Sequence, residues 1–204
     1  GSPELARALN NVGIDYRHLG RYDDAAAVLL ESLALYRALG DAAGSGPALQ
    51  NLANVRVNVG DLGAGLALKL EALAVDERAG NSAGVGLVLA DLGEIYRAAG
   101  DLPRAQQHLE RSLQFHRKDR RAYGECIALV SLGRLAIDRL QPGEADELAR
   151  QARALADASG LGREQALSRA LLARAEARLE RPGRGIELAR DALRRSIVLE
   201  DPDA

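Results

Sequence analysis

The stretch Leu9-Asn10-Asn11-Val12-Gly13-Ile14-Asp15-Tyr16-Arg17-His18-Leu19-Gly20 sets a pattern that the rest of the chain repeats. Forty residues on, Leu9 falls on Leu49, Leu89 and Leu129, and Asn11 on Asn51, Asp91 and Ser131. Val12 falls on Leu52, Leu92, Leu132 and Leu172, Gly13 on Ala53, Gly93, Gly133 and Ala173, and Gly20 on Gly60 and Gly100. Leu9, Val12, Gly13, Tyr16 and Leu19 have the spacing of one buried helical stripe. Gly20 stands where a left-handed residue ends a helix. A second helix from about Tyr22 turns Ala25, Leu29, Ser32, Leu33 and Tyr36 inward and stops at Gly40-Asp41. The helical spacing and the forty-residue recurrence predict an all-α fold, a solenoid of about five helix–turn–helix units and about ten antiparallel helices. In such a solenoid each unit buries its apolar face by stacking on its neighbours.

The units run over about 5–44, 45–84, 85–124, 125–164 and 165–200, forming one array across residues 1–204. The opening Gly-Ser-Pro-Glu, residues 1–4, lacks an initiator Met and reads as a cloning scar on a domain taken from something longer. Unit two carries Leu49, Leu52 and Ala53, the stop Gly60-Asp61, then Leu66, Leu70 and Leu73. Gly63 and Gly65 predict that its second helix starts late or frays. The run Gly44-Ser45-Gly46-Pro47 reads as the turn before that unit, and it lacks the Lys-Ser/Thr of a phosphate loop. Unit three is the best preserved, with Leu89, Leu92, Gly93, Tyr96, Gly100-Asp101, Pro103, Ala105, Leu109, Ser112 and Leu113. Units four and five drift: Leu140-Gln141-Pro142-Gly143 and Glu180-Arg181-Pro182-Gly183 replace the glycine stop with a proline that disfavours helix in the residue before it. The last helix keeps Leu188, Ala189, Ala192, Leu193, Ile197 and Val198 with no polar cap behind it, so the array is expected to continue or to meet a partner there.

Composition narrows the function. A net charge of −2 gives no electrostatic reason for a nucleic-acid or membrane partner. No run of about 18 apolar residues and no charged-then-apolar leader is visible, and the expected location is the cytoplasm. The single cysteine, Cys126, excludes an intramolecular disulfide and reads as core filler more readily than as a reactive thiol. Aromatics are only 3%, so Ala and Leu must do the packing. His18, His108 and His116 are too scattered for a metal site. No nucleophile–base pair or cofactor loop appears, so neither an enzyme nor a cofactor is expected. Asp91 and Glu94 share a helix face, which serves a solvated edge better than paired-acid chemistry. The cluster Arg117-Lys118-Asp119-Arg120-Arg121 suits a helix end facing water.

The Ala-Leu-x-Asn-Val-Gly-x-x-Tyr run from Ala8 to Tyr16, the turn glycines and the small residues Ala25 and Ser32 together resemble the tetratricopeptide repeat (TPR). The forty-residue spacing is similar to the longer-repeat branch: kinesin light chains, spindle-orientation adaptors, bacterial quorum-peptide receptors and TPR arrays of actinobacterial transcriptional regulators. Arginine outnumbers lysine heavily, which suits a high-GC bacterium and makes the last group the expected parent. The resemblance implies a right-handed superhelix whose first helices line a concave groove that binds a protein or an extended peptide. Carried over by position, the groove would take Arg7, Asn10, Asn11, Ile14, Arg17 and His18 from unit one, and Gln50, Asn51, Asn54 and Asn58 from unit two. Units three to five would add Asp91, Glu94 and Arg97, then Ser131, Arg134 and Asp138, then Arg174 and Arg178.

One column, Asn11, Asn51, Asp91 and Ser131, places a polar residue at the same helical angle in four units. A carboxamide offers donor and acceptor to an extended backbone. Helices about 10 Å apart and a peptide rise of roughly 3.3 Å give about three ligand residues per unit. Ties between neighbouring helices would use the same residues, and Leu171 ends the column. Arg97, Arg134, Arg174 and Arg178 outnumber Asp91, Glu94 and Asp138, which predicts a peptide with acidic residues over units three to five. Partners are thus a protein or peptide, or other domains of a longer parent chain. The competing reading is a self-association module that works through its uncapped terminal helices or convex face, giving a homo-oligomer.

Overall fold

A computed structural model describes residues 1–179 and 182–200. Among these residues there are ten helices and no strand: α1 (Pro3–His18), α2 (Tyr22–Ala38), α3 (Ala42–Asn58), α4 (Leu62–Ala79), α5 (Ser82–Ala98), α6 (Leu102–Lys118), α7 (Ala122–Asp138), α8 (Pro142–Ser159), α9 (Gly162–Arg178) and α10 (Pro182–Glu200). The all-α class and the forty-residue register are as expected, since α3, α5, α7 and α9 begin at 42, 82, 122 and 162. Each starts about three residues ahead of the unit edge read from the sequence, because the caps lie earlier. Asp41 and Asn81 accept from the backbone N–H of Gly44 and Gly84 at 2.9 and 3.1 Å. Asp61 and Asp101 do the same for Ala64 and Arg104 at 3.0 and 3.1 Å. Each such cap contributes about 1 kcal/mol.

The chain divides into two compact parts, Gly1–Ala99 and Gly100–Ala204, and the division falls between the two helices of the third repeat. In the N-terminal part α1, α3 and α5 are neighbours in order, while α2 packs on α1 and α3, and α4 on α3 and α5. Ala25 and Leu29 of α2 meet Leu52 and Val55 of α3, with Tyr16 and Leu68 at the margin. In the C-terminal part α7 neighbours α9, with α6 and α8 against α7, and α8 and α10 against α9. There the core joins Leu129 and Val130 to Ala145, Ala149, Leu171, Leu172 and Ala175. Alanine on one helix opposite leucine on the next lets helices approach closely without a void.

Several sequence expectations change on contact with the fold. The five inward residues of α2 are as expected. In α1, however, Val12 is 40% and Leu19 71% exposed, and Ala6 is buried instead. The equivalents of Val12 at Leu52, Leu92 and Leu172 are buried, Leu52 in one cluster with Ala25 and Leu29 of the repeat before it. In this structure α1 has no helix on that side. α4 neither starts late nor frays, since Asp61 caps it and it runs from Leu62 to Ala79. Its inward register is Gly65, Lys69, Ala72, Leu73 and Asp76, with Leu70 exposed. The forty-residue shift from Ala25, Leu29, Ser32, Leu33 and Tyr36 gives that register, whereas the leucines alone pointed one residue further on.

Gly44-Ser45-Gly46-Pro47 is not a turn but the first turns of α3, with Pro47 inside the helix. Its glycines serve close packing: a β-carbon at Gly44 would lie 2.1 Å from the Tyr36 ring, and one at Gly46 2.7 Å from the Asp76 carboxylate. The arrangement recurs every forty residues. Gly84 faces Asp76 and Gly124 faces His116, with β-carbon distances of 2.4 and 2.2 Å. At the last junction the same two positions are Ala156 and Glu164, both buried, so the small and the large partner have changed places.

Turns keep their geometry where the sequence departs from glycine. Gly20, Gly40, Gly60, Gly80, Gly100 and Gly160 have φ between +65° and +84°. Arg120 and Leu140 adopt the same left-handed region, at φ +53° and +59°, at a cost of roughly 1 kcal/mol each. The turn before α8 is therefore the glycine turn made by a leucine, rather than a different turn signalled by Pro142. The Glu180-Arg181 turn and the side chains of Ile197 and Val198 lie outside the described residues.

Candidate binding face

The polar residues expected to line a groove lie on α1, α3 and α5 in the N-terminal part, and on α7 and α9 in the C-terminal part. On α1, Asn11 and His18 are exposed, and Arg17 reaches His18 Nε2 at 2.8 Å. Asn51 Nδ2 donates to Asn10 Oδ1 at 3.0 Å and so ties α3 to α1. On α3, Asn54 is half-buried and Asn58 exposed. Gln50 turns elsewhere, donating to Asp76 Oδ2 at 3.0 Å, while Asn81 donates to Oδ1 at 2.9 Å. These two amides offset part of the burial that raises the Asp76 carboxyl above its ordinary value.

Between α3 and α5 the face opens into a cavity of about 250 Å³. Asn54, Lys69, Asp91, Glu94 and Arg97 supply its polar lining, and Val57, Leu62, Ile95 and Ala98 the apolar remainder. Four expected groove residues, Asn54, Asp91, Glu94 and Arg97, are thus brought together. Arg97 Nε donates to Glu94 Oε2 at 3.0 Å, one turn away on α5. Among the described residues the Asn54 carboxamide has no hydrogen-bond partner.

Lys69 is the residue that sequence reasoning missed. It comes from α4, is 1% exposed, and donates through Nζ to Asp91 Oδ2, whose side chain is 45% exposed. Its repeat equivalents are Leu29, Leu109 and Ala149, all fully buried. A signal was present: lysine occurs only at 69 and 118, and the forty-residue shift sets Lys69 on a core leucine. The leucines on either side of it obscured that.

In the C-terminal part Ser131 is buried, Arg134 is half-buried, and Asp138, Arg174 and Arg178 are exposed. Leu171 is buried and fills the space that a side chain at Gly133 would occupy, its Cδ2 2.4 Å from the β-carbon position. Two groups of buried charge stand here. Arg150 pairs with Asp146 at 2.7 Å and with the fully buried Glu176 at 3.3 Å. Arg169, 4% exposed, pairs with Asp157 at 3.2 Å and Asp191 at 2.9 Å. Burial, and after it the nearby Glu164 and Glu125, push the Cys126 thiol up to about 11, so it is protonated at neutral pH. Among the described residues no three His, Cys, Asp or Glu side chains are grouped to hold a metal ion, and no helix is long and apolar enough to cross a membrane.

A family model for the tetratricopeptide repeat matches residues 4–57 and 45–118. No curated protein matches the chain in sequence. Among solved structures, the nearly identical TPR-like repeats of a Podosopora anserina protein assigned as a kinesin light chain superpose with a TM-score of 0.74 at 20% identity, over 99% of this chain and 98% of that one. BtubC (BKLC) from P. vanneervenii gives 0.81 at 14% identity, over 98% of this chain and 82% of that one. A Pyrococcus horikoshii signal-transduction ATPase with numerous domains, which has a TPR sensor, gives 0.76 at 16% identity, over 97% of this chain but 30% of that one. At these identities the likeness shows the fold, the α–α solenoid.

Proposed function

The chain belongs to the tetratricopeptide repeat family, and from that premise we propose that it is a non-catalytic module that binds a protein or an extended peptide on the face formed by α1, α3 and α5. The observation that carries this reading is the cavity between α3 and α5, which Asn54 lines together with two ion pairs and four apolar side chains. Amides that lack an internal partner favour a ligand with backbone groups to offer. Asn11 and Asn54 fit that role best, because Asn51 and Gln50 are engaged with Asn10 and Asp76. The pairing of Arg97 with Glu94 weakens the case for an acidic ligand over α5. Among the described residues Arg174 and Arg178 carry no ion pair, which leaves them open to an acidic ligand of the C-terminal part. The Pyrococcus relative carries its repeats as a sensor, and the sensor arm of a larger cytoplasmic, bacterial regulator is the setting we favour. The test is affinity capture with the wild type and an Asn11→Ala/Asn54→Ala variant of unchanged helicity. A partner held by the first and released by the second supports the face; equal capture by both rejects it.

A second reading rests on the exposed edge of α1. Leu5 and Val12 are exposed, while their equivalents Ser45, Val85, Leu52 and Leu92 are buried against a preceding helix. That edge suits self-association. Sedimentation over a range of concentrations decides, and a monomer throughout excludes it.

A further inference from the structure

We infer that Lys69, although it belongs to a second helix and lies in the core register, is a ligand-binding residue. It presents its ammonium in the cavity between α3 and α5 to the main-chain carbonyl of a peptide whose uncharged apolar side chain fills that cavity. The inference rests on the binding face proposed above and adds the chemistry of one of its subsites.

The argument begins with cost. A lysine in the place of Leu29 and Leu109 buries a charge where two sister repeats bury a leucine, and well-packed apolar residues stabilise such sites as well as or better than an ion pair does. Residues that break a local rule without a stabilising return are expected at functional positions. Lys69 meets a second condition, because it is among the residues that line the cavity and its partner there, Asp91, is 45% exposed. An ammonium has three donors, and among the described residues Asp91 is its one acceptor. The donors left over need an acceptor, and the cavity is where one can enter.

Charge and volume then specify the ligand. The lining holds two cations, Lys69 and Arg97, and two anions, Asp91 and Glu94, so it is electrically balanced. A ligand carboxylate would bring a third negative group to two cations, and a ligand cation would compete with both pairs. A carbonyl oxygen meets neither objection. About 250 Å³ is below the usual range for a drug-sized ligand and suits a single large side chain, which Val57, Leu62, Ile95 and Ala98 would surround with apolar surface. Asn54, which also lines the cavity, can pair with the amide next to that side chain. Because the ion pairs are internal, affinity should change little with salt.

The experiment uses N-acetyl-L-phenylalaninamide, which has one apolar side chain between two amides, and the corresponding glutamate compound. Each is titrated into isotopically labelled chain while backbone amide shifts are followed by NMR. The phenylalanine compound should shift the amides of Asn54, Ile95 and Ala98 saturably and alike at low and high salt, and the glutamate compound should bind at least several-fold more weakly. In Lys69→Leu the thermal midpoint should equal or exceed that of the wild type while affinity falls about tenfold, the equivalent of one lost hydrogen bond to a charged donor. Lys69→Met keeps the length of the stem without its donors and takes over if the leucine variant fails to fold. Unchanged affinity in either variant makes Lys69 a structural ion-pair residue and overturns the inference. Shifts confined to Asn10, Asn11 and Asn51 overturn it too but leave the wider face standing, whereas no shift on α1, α3 or α5 removes both.

Discussion

In α5 the position shared with Leu9, Leu49 and Leu129 is Leu89, fully buried; in α9 it is Arg169, nearly as buried and paired with Asp157 and Asp191. Five residues beyond the polar column the contrast continues, with Tyr96 in α5 against the buried Glu176 in α9. In the column itself the order is reversed: Asp91 meets the cavity in α5, and Leu171 packs on Gly133 in α9. Both helices have the same length and start in the same register. The difference teaches that the forty-residue period specifies where a helix lies and which face it buries, but not which chemistry each face presents. α5 keeps its charges toward a cavity and its core dry. α9 keeps charge inside the core by pairing it, and buries a leucine, Leu171, where its sisters are polar.

The comparison can be broken by exchanging the chemistry. Leu89→Arg places in α5 the residue that α9 accepts, without the Asp157 and Asp191 that make it acceptable, and should destabilise the fold by about 4 kcal/mol in urea unfolding, the scale of an uncompensated buried charge. A loss under about 1 kcal/mol would mean that α5 can recruit acids of its own. Asp91→Ala removes the one acceptor of a buried ammonium and should cost about 3 kcal/mol by the same measurement. The inverse change, Lys69→Leu, leaves only a half-exposed Asp91 that water can satisfy, so a thermal melt should show no loss.

Smaller effects sharpen the picture. Leu140→Gly should stabilise the chain by about 1 kcal/mol in urea titration, since Leu140 is 75% exposed and held at φ +59°. Arg169→Leu should lie within about 1 kcal/mol of the wild type, because Asp157 and Asp191 are partly exposed and can rehydrate. A large loss there would show that the pairs in α9 do more than replace a leucine. The smallest effect is one of pH. The Asp76 carboxyl is raised chiefly by burial, so the folded chain holds that proton more tightly than the unfolded one. Its contribution to stability therefore grows as pH falls through its raised folded value toward the ordinary carboxylate range. Unfolding of wild type and Asp76→Asn at pH 7 and pH 5 should move the difference in the wild type's favour at the lower pH.

Much of this architecture was legible. The period named both helices of every repeat, and the five buried residues of α2 followed from spacing alone, because an amphipathic stripe is a local property of the chain. What was hidden depends on partners distant in sequence. Val12 sits in the stripe but is exposed, where Leu52 and Leu92 at the same position are buried. Gly44 and Gly46 resemble turn residues until Tyr36 and Asp76 are placed against them. In the candidate site, Asn54, Asp91, Glu94 and Arg97 were found by position on the helix. The tie of Asn51 to Asn10, the turning of Gln50 to Asp76 and the arrival of Lys69 from α4 each needed the neighbouring helix in place.

The exchange of bulk at the repeat junctions has one more consequence. Tyr36 with Gly44, Asp76 with Gly84 and His116 with Gly124 are three locks cut for the same kind of key, whereas Ala156 with Glu164 is cut the other way round. Graft the second helix of the first repeat ahead of α9 and two bulky groups collide; graft α8 ahead of α3 and two small ones leave a hole. The repeats are therefore not beads to be restrung in any order. Exchange among the first three junctions keeps a bulky group opposite a glycine, whereas any rearrangement across the fourth has to carry both halves of its lock along.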